Sequence, residues 1–170
     1  LFCGSPERYI KLNNKRLISE PIKGTAPRSK DPIQDLRNKE NLQSDAKERA
    51  ENIMIVDLVR NDFSKIAANH SVKVDALCAV HSFENVHQMI STVSCEINEG
   101  TTFTDIIKAS FPMGSMTGAP KLKSMELIEE SEDFKRGLYS GSLGYIEPNG
   151  DFDFNVIIRS LLYNQEQEYL

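Results

Sequence analysis

Pro21-Ile22-Lys23-Gly24-Thr25-Ala26-Pro27-Arg28 combines a lysine, a glycine, a threonine and an arginine in one short segment. Apolar residues precede the lysine and a glycine follows it, which predicts a turn at the end of a strand. An amine, exposed backbone N–H groups and a guanidinium this close together can hold and attack an anionic small molecule. The same residues also suit an ordinary strand end with surface cations, so the neighbouring segments have to decide between the two interpretations.

The composition excludes several classes of protein. The chain has 170 residues, which suits one domain with a sizeable core. Its net charge is −5 and it has no run of lysine and arginine, which argues against nucleic-acid binding. No apolar run approaches the roughly 20 residues of a membrane span. Cys3, Cys78 and Cys95 are odd in number and lack the spacing of a zinc site, so we expect free thiols and a cytoplasmic location.

The residues before the lysine segment predict a hairpin. Residues 9–12 and 16–18 are two short strands joined by a turn at Asn13 and Asn14, and the second strand leads into the lysine segment. Residues 29–44, on the other side, are rich in Lys, Asp, Asn and Gln and show no hydrophobic period. We predict a polar connection there.

A helix is predicted from Asp45 to about Asp62, because Asp45 followed by Glu48 resembles a capping box with aspartate in place of serine or threonine. Helical spacing places five residues on one face, which we predict to be the packed face: Ala50, Ile53, Met54, Asp57 and Leu58. A buried charge is costly unless it is paired. We therefore expect Asp57 to form an internal ion pair with Arg60.

Two longer strands follow, over residues 72–80 and 86–97. In the second strand, alternation places six side chains on one face: His87, Met89, Ser91, Val93, Cys95 and Ile97. A lone histidine on a mainly apolar face is more often a core residue than a ligand. The pattern alone therefore favours a structural role for His87.

A short helix capped by Thr102 or Thr104 leads into residues 111–121, a loop with two glycines that opens onto a helix from Pro120 to about Glu130. Free N–H groups and the positive end of the helix dipole favour a carboxylate or phosphate at this point. The spacing of a phosphate-binding P-loop is absent. A capped turn and an anion-binding loop fit these residues equally well.

The last pattern is a hairpin, with strands over residues 139–147 and 152–163. Arg159 shares a strand face with Ile157 and Leu161, so we expect a partly buried guanidinium that pairs with a carboxylate of the protein or of a ligand. The strands and helices together predict an α+β fold with mainly antiparallel sheets and packed helices.

Seven segments, in their order and spacing, resemble the chorismate-utilising enzymes. They are Ser5-Pro6-Glu7-Arg8-Tyr9, residues 21–28, Glu48-Arg49-Ala50-Glu51-Asn52, Asp57-Leu58-Val59-Arg60-Asn61-Asp62, Thr117-Gly118-Ala119-Pro120-Lys121, Arg136-Gly137-Leu138-Tyr139-Ser140-Gly141 and Ile158-Arg159-Ser160. This family includes the large subunits of anthranilate synthase and aminodeoxychorismate synthase, together with isochorismate and salicylate synthases. The resemblance implies the chorismate-binding fold, a layered α/β sandwich with its site between the sheets.

The resemblance also implies the residues of the site. The substrate would be chorismate, and a Mg²⁺ ion held by Glu51, with Glu48 one helical turn earlier, would bind the ring carboxylate. Arg159 and Tyr139 match residues that hold the enolpyruvyl carboxylate. The other matches are Thr25, which lines the substrate site, Gly118, whose backbone lies near the substrate, and His87, which lies close to the leaving ring hydroxyl and so gains a catalytic role.

Lys23 distinguishes between members of the family, because anthranilate synthases typically carry alanine at this position and aminodeoxychorismate synthases carry lysine. A lysine desolvated beside a bound substrate can act as a nucleophile. The resemblance implies that Lys23 attacks ring carbon 2 as the carbon-4 hydroxyl leaves. Ammonia from a glutamine amidotransferase subunit would then add at carbon 4, giving 4-amino-4-deoxychorismate on the route to p-aminobenzoate and folate.

Three alternatives stay open beside amination through lysine. They are an anthranilate synthase, which Lys23 disfavours, an isochorismate-type enzyme that uses water, and a noncatalytic module that binds a small anion or docks to another subunit. The chain begins without an initiator methionine, ends in a strand-like context at residues 168–170 and stops before the family's second glutamate pair. We therefore expect residues 1–170 to be a chorismate-binding catalytic domain that is truncated at both ends and lacks activity by itself.

Overall fold

The computed structural model describes residues 1–166 and confirms an α+β fold with antiparallel sheets. The strands are β1 Phe2–Cys3, β2 Arg8–Asn13, β3 Arg16–Glu20, β4 Ile22–Pro27, β5 Lys73–Ser82, β6 Val86–Glu96, β7 Ser142–Ile146, β8 Phe152–Val156 and β9 Ser160–Leu161. The helices are α1 Pro32–Ser44, α2 Ala46–Ser64, α3 Phe103–Ser110, α4 Gly114–Thr117 and α5 Lys121–Ser131. The strand-like context predicted at residues 168–170 lies outside the described residues.

One seven-stranded antiparallel sheet forms the centre of the structure, with the order β4-β6-β3-β2-β8-β7. The seventh strand, β5, pairs with the edge of β6 that faces away from β3 and β4. β3 and β4 follow one another along the same edge of β6, because β3 pairs with its end near Glu96 and β4 with its start near Val86. The short strands β1 and β9 pair separately. The predicted hairpin before the lysine segment and the two predicted long strands are confirmed.

The packed face of α2 differs from the predicted one. The helix begins as expected, with the Asp45 side chain accepting a hydrogen bond from the Glu48 backbone N–H at 2.9 Å. Its buried residues are Asn52, Ile55, Val56, Asp62 and Phe63. Because two of these are polar, hydrophobic spacing alone selected the wrong face. Asp57 and Arg60 do pair, at 2.9 Å, but both side chains are more than half exposed, so the internal ion pair is wrong.

The polar connection predicted over residues 29–44 is wrong, since most of this segment forms α1. Asp31 caps the helix by accepting a hydrogen bond from the Ile33 backbone N–H at 3.0 Å, and Pro32 occupies the first turn, where its fixed φ suits a helix. Leu42 is the one buried residue of the helix. A helix that buries so little apolar surface shows no hydrophobic period in its sequence.

The lysine segment is a bulged strand and not a turn. Across from β6, Ile22 pairs with Ile90 and Thr25 with Gln88, so Lys23 and Gly24 stand opposite a single residue. Gly24 has a φ of 94°, a conformation that favours glycine. The bulge changes the direction in which the Lys23 side chain leaves the sheet.

The final hairpin and the loop at 111–121 depart from prediction in detail. β8 ends at Val156, and Arg159 has a φ of 48°, so it does not continue the alternation of that strand. Its side chain is exposed, and the partly buried setting expected for it is wrong. Thr102 caps α3 as predicted, α5 begins one residue after Pro120, and the short helix α4 occupies part of the predicted loop.

No helix within residues 1–166 is both long enough and apolar enough to cross a membrane.

Candidate active site

The bulged strand β4 forms one wall of a cavity of about 240 Å³. Lys23, Thr25 and Arg159, three of the predicted site residues, line this cavity together. Lys23 is half-buried, whereas Thr25 and Arg159 are exposed. The other lining residues are Pro6, Glu7, Ile22, Gly24, Ser115, Met116 and Ile158. Two cations and one carboxyl group therefore face a single space, which is a suitable arrangement for a small anionic substrate.

Glu7 also lines the cavity, although its motif in the sequence had assigned it no role. Only 6% of it is exposed, and burial raises the pKa of its carboxyl group above the ordinary value, while Ser115, Lys23 and Arg159 act in the opposite direction. A carboxyl group that is buried in this way can keep its proton and donate it beside a cation. Glu7 directly precedes β2, two residues before the buried Tyr9, and this spacing suggests burial but does not show which residues Glu7 faces.

Ser115 and Met116 of the short helix α4 form another wall of the cavity. The Ser115 Oγ atom is buried and has no hydrogen-bond partner of normal geometry within residues 1–166, although it lies close enough to lower the pKa of Glu7. Gly118 has a φ of 136°, and a Cβ atom there would lie 2.9 Å from Ser124 Oγ. Gly118 therefore packs against α5, and it is not among the residues that line the Lys23 cavity.

Glu48 reaches the lysine strand from α2. A Cβ atom at Gly24 would lie 3.2 Å from Glu48 Cβ and 3.3 Å from Glu48 Oε2, so the carboxylate stands against the backbone of the bulge. Glu51 lies one turn further along, with its Oε1 atom 3.9 Å from Lys47 Nζ. The part of the chain that the structure describes has no group of three or more acidic, histidine or cysteine side chains placed to hold a metal. Neither Glu48 nor Glu51 is among the residues that line the Lys23 cavity, and a Mg²⁺ ion held by this pair, with substrate and water as further oxygen ligands, stays a prediction.

His87 and Gln88 point to opposite faces of the sheet, because they are neighbours on one strand. Gln88 pairs with the cavity residue Thr25, whereas His87 pairs with Ala26. The His87 ring is 1% exposed, with Nδ1 2.9 Å from Ser82 Oγ and Nε2 3.1 Å from Asp35 Oδ1. Both ring nitrogens therefore have partners away from the Lys23 cavity, and a catalytic role for His87 stays a prediction.

Asp35, on the unpredicted helix α1, joins His87 to the end of the lysine segment. Its carboxylate accepts hydrogen bonds from Arg28 Nε at 2.9 Å and from the Ser29 backbone N–H at 2.8 Å. The Arg28 guanidinium, with help from that N–H group, holds the pKa of Asp35 well below its usual range. Arg28 thus supports the strand and does not face the cavity.

Tyr139 lines a separate groove of about 280 Å³ beside α5. Its ring is 48% exposed and lies 5.8 Å from the Arg136 guanidinium carbon, a distance that suits a cation–π contact. The structure therefore does not bring Tyr139 to the cavity that holds Arg159.

All 170 residues match the family described as chorismate binding enzyme. The chain belongs to this chorismate-binding family. It is 44% identical over 165 residues to aminodeoxychorismate synthase component 1 of Salmonella typhimurium, a match that covers 97% of this chain and 36% of that protein. It is 40% identical over 166 residues to anthranilate synthase component 1 of Aquifex aeolicus, covering 98% of this chain and 34% of that protein.

The fold of the family is shared as well. The crystal structure of anthranilate synthase component I from Streptococcus pneumoniae superposes with a TM-score of 0.82 at 36% identity, covering 92% of this chain and 34% of that chain. The predicted chorismate-binding fold is therefore confirmed. The chain spans about a third of the length of these family members.

Proposed function

We propose that the whole protein aminates chorismate to 4-amino-4-deoxychorismate through a covalent bond to Lys23. The observation that carries this proposal is the cavity in which Lys23 and Arg159 face the buried carboxyl group of Glu7. The name of the Salmonella relative, aminodeoxychorismate synthase component 1, supports it. Chorismate carries two carboxylates and a ring hydroxyl, so it needs cations, a nucleophile and a proton donor, and the cavity offers all three.

In the first step the neutral Lys23 amine attacks ring carbon 2. The two ring double bonds each shift by one position, the bond between carbon 4 and its oxygen breaks, and Glu7 protonates the leaving hydroxyl, which departs as water. Ammonia then adds at carbon 4, the double bonds shift back and the bond between Lys23 and carbon 2 breaks. The Glu7 carboxylate recovers its proton from the added ammonia, so one ammonia is consumed and one water released.

The remaining site residues would bind and orient the substrate. Arg159, at the edge of the cavity, can form a bidentate pair with a carboxylate, and Thr25 can donate a hydrogen bond to an oxygen atom of the substrate. Glu48 and Glu51 would hold Mg²⁺, which when bound would neutralise the ring carboxylate. Tyr139, Gly118 and His87 remain candidates whose contacts would have to change on substrate binding.

A glutamine amidotransferase subunit would supply the ammonia, and the product would enter p-aminobenzoate and folate synthesis in the cytoplasm. Anthranilate synthase is the second candidate function, since the Aquifex relative bears that name at 40% identity. The side chain at position 23 separates the two candidates, because alanine offers no nucleophile for the covalent step.

The decisive test is a search for the covalent intermediate. The full-length protein is incubated with chorismate and Mg²⁺ without ammonia, and its intact mass is measured. We expect an adduct with the mass of chorismate less one water, absent in Lys23→Ala and retained in Lys123→Ala, which alters an exposed lysine on α5. An adduct that survives in Lys23→Ala, or no adduct in the unaltered protein, would overturn the proposed nucleophile.

A further inference from the structure

Lys121, the first residue of α5, forms a buried ion pair that the proposed reaction does not use. Its Nζ atom contacts Asp62 Oδ2 and donates to the Ser110 carbonyl oxygen at 3.0 Å. The two side chains are only 15% and 6% exposed. A charge pair this well buried requires both partners, because removing one leaves the other without water or a counter-ion.

The pair belongs to a network that joins several elements. The second oxygen of Asp62 accepts from Lys65 Nζ at 2.9 Å, and the Ser110 hydroxyl lies 2.6 Å from the hydroxyl of Tyr9. Lys121 therefore connects α5 to α2, to the end of α3 and, through Tyr9, to the strand that follows Glu7.

The other contacts of segment 114–121 are few. Arg136 Nη1 donates to the Met116 carbonyl oxygen at 3.4 Å, and the Met116 side chain packs against the core. No residue of α5 is buried in the part of the chain that the structure describes. At the other end of the segment, a Cβ atom at Gly114 would lie 2.9 Å from Leu58 Cδ1, so this backbone rests directly on α2. Leu58 and Asp62 are four residues apart, which places both contacts on the same side of α2. Ser115 and Met116, between the two contacts, line the Lys23 cavity.

We propose that Lys121 is a positioning residue: through Asp62 and the Ser110 carbonyl it holds segment 114–121 so that Ser115 and Met116 keep their places in the cavity wall. The kinetic part of this inference rests on the proposed function, but the structural part does not. Lys121 touches no substrate-lining group itself, so its effect reaches the reaction only through the position of that wall.

The first test measures the anchor without chorismate. Hydrogen–deuterium exchange over residues 114–118 is compared between the unaltered full-length protein, the double variant Asp62→Asn/Lys121→Met and the control Lys123→Met. The double variant removes both charges of the buried pair, so we expect it to fold more stably than Lys121→Met alone. We expect exchange at residues 114–118 to rise at least about tenfold in the double variant only. Equal exchange in all three proteins would overturn the inference.

The second test measures positioning, as the rate constant for formation of the Lys23 adduct in a single turnover. This measurement separates two effects. If part of the protein is unfolded, less adduct forms, but the folded molecules react with an unchanged rate constant. If the cavity wall is displaced, the rate constant itself falls. We expect the rate constant to fall about 10- to 100-fold in the double variant. The single variant Lys121→Arg should keep most of the rate constant of the unaltered protein, since a guanidinium can still pair with Asp62. An unchanged rate constant would overturn the positioning role. If the unaltered protein forms no adduct, the proposed function fails, and the exchange experiment still decides the anchor.

Discussion

Burial raises the pKa of the Glu7 carboxyl group, whereas the Lys23 and Arg159 cations lower it, and burial has the larger effect. Because the pKa is raised in the folded protein, the neutral form is favoured and ionisation opposes folding. The neutral Glu7 side chain therefore stabilises the folded protein. This stabilisation is complete below the pKa of Glu7 in the unfolded chain and is lost as the pH rises through its higher pKa in the folded protein.

Glu7→Gln should therefore make the protein more stable and much less active. Glutamine removes the ionisation penalty, so we expect a higher melting temperature near pH 7 and a smaller difference from the unaltered protein near pH 4, where glutamate is largely protonated. Loss of the proton donor should slow turnover roughly 10²- to 10⁴-fold. Thermal melts at both pH values and a chorismate assay measure the two effects. The exposed Glu99→Gln is the control, and a variant as active as the unaltered protein would exclude Glu7 as the acid.

Among single residues, the motifs named Lys23, Thr25 and Arg159, which share one cavity, but also Tyr139 and Gly118, which do not line it. Arg159 is far from Lys23 and Thr25 in the sequence, yet all three line one cavity. Glu7 was quoted within a motif without a role, because nothing in one sequence shows that a carboxylate before a strand faces a lysine after the next one. For His87, alternation predicted one buried face of β6, but Gln88 and Ser94 on the other face are buried too, and alternation cannot tell which face the substrate would approach.

Among the elements, the bulge in β4 sets the direction of the Lys23 side chain. Gly24→Ala should destabilise the protein for two reasons, the φ of 94° and the contacts of a new Cβ atom, 3.1 Å from Leu42 Cδ1 and 3.2 Å from Glu48 Cβ. Gly150 has a φ of 90° and no atom within 4 Å, so Gly150→Ala suffers the first effect alone.

We expect Gly150→Ala to lower the free energy of unfolding by about 1 kcal/mol and Gly24→Ala by roughly 1–3 kcal/mol more, the usual cost of overpacking. Denaturant titrations of the two variants measure the difference directly. Losses of the same size would show that α1 and α2 adapt to the extra methyl group, and that the bulge does not need to be so tightly enclosed.

The helices show why element prediction succeeded only in part. Capping residues identified the start of α2 correctly, and the same kind of evidence, Asp31 followed by Pro32, was present before α1. The polar composition of residues 29–44 concealed it, because α1 uses Asp35 to bind Arg28 and His87 instead of burying an apolar face. In α2 the buried Asn52 and Asp62 serve Ser91 and Lys121, so polar contacts decided which face packs.

At the scale of the whole molecule, the described chain exposes large apolar side chains on α5 and β7, among them Leu122 at 76% and Tyr145 at 58%. Surfaces of this kind normally contact other protein. The Salmonella relative is nearly three times as long as the match, since the match covers 36% of it. The α+β class was predictable because strand and helix patterns are local, whereas the exposed apolar surfaces of α5 and β7 were not.

We therefore expect the 170-residue chain by itself to form no detectable Lys23 adduct, and the full-length protein to form it readily. Intact-mass measurement under the same conditions compares the two, with circular dichroism to confirm that the shorter chain is folded. A folded 170-residue chain that reacts at the full-length rate would show that the cavity around Lys23 is sufficient for the covalent step.

α2 contacts two segments of the cavity region at separate points along its length, Glu48 against Gly24 in β4 and Leu58 against Gly114, which precedes the cavity residue Ser115. One residue added to or removed from the helix between these points would rotate one contact away from the other by about 100°. The amino acids between these two positions can change, but an insertion or deletion there would separate the contact with the Lys23 strand from the contact beside Ser115. The number of residues from Glu48 to Leu58 is therefore fixed by the two contacts, and we expect a variant with one residue inserted between them to form no Lys23 adduct.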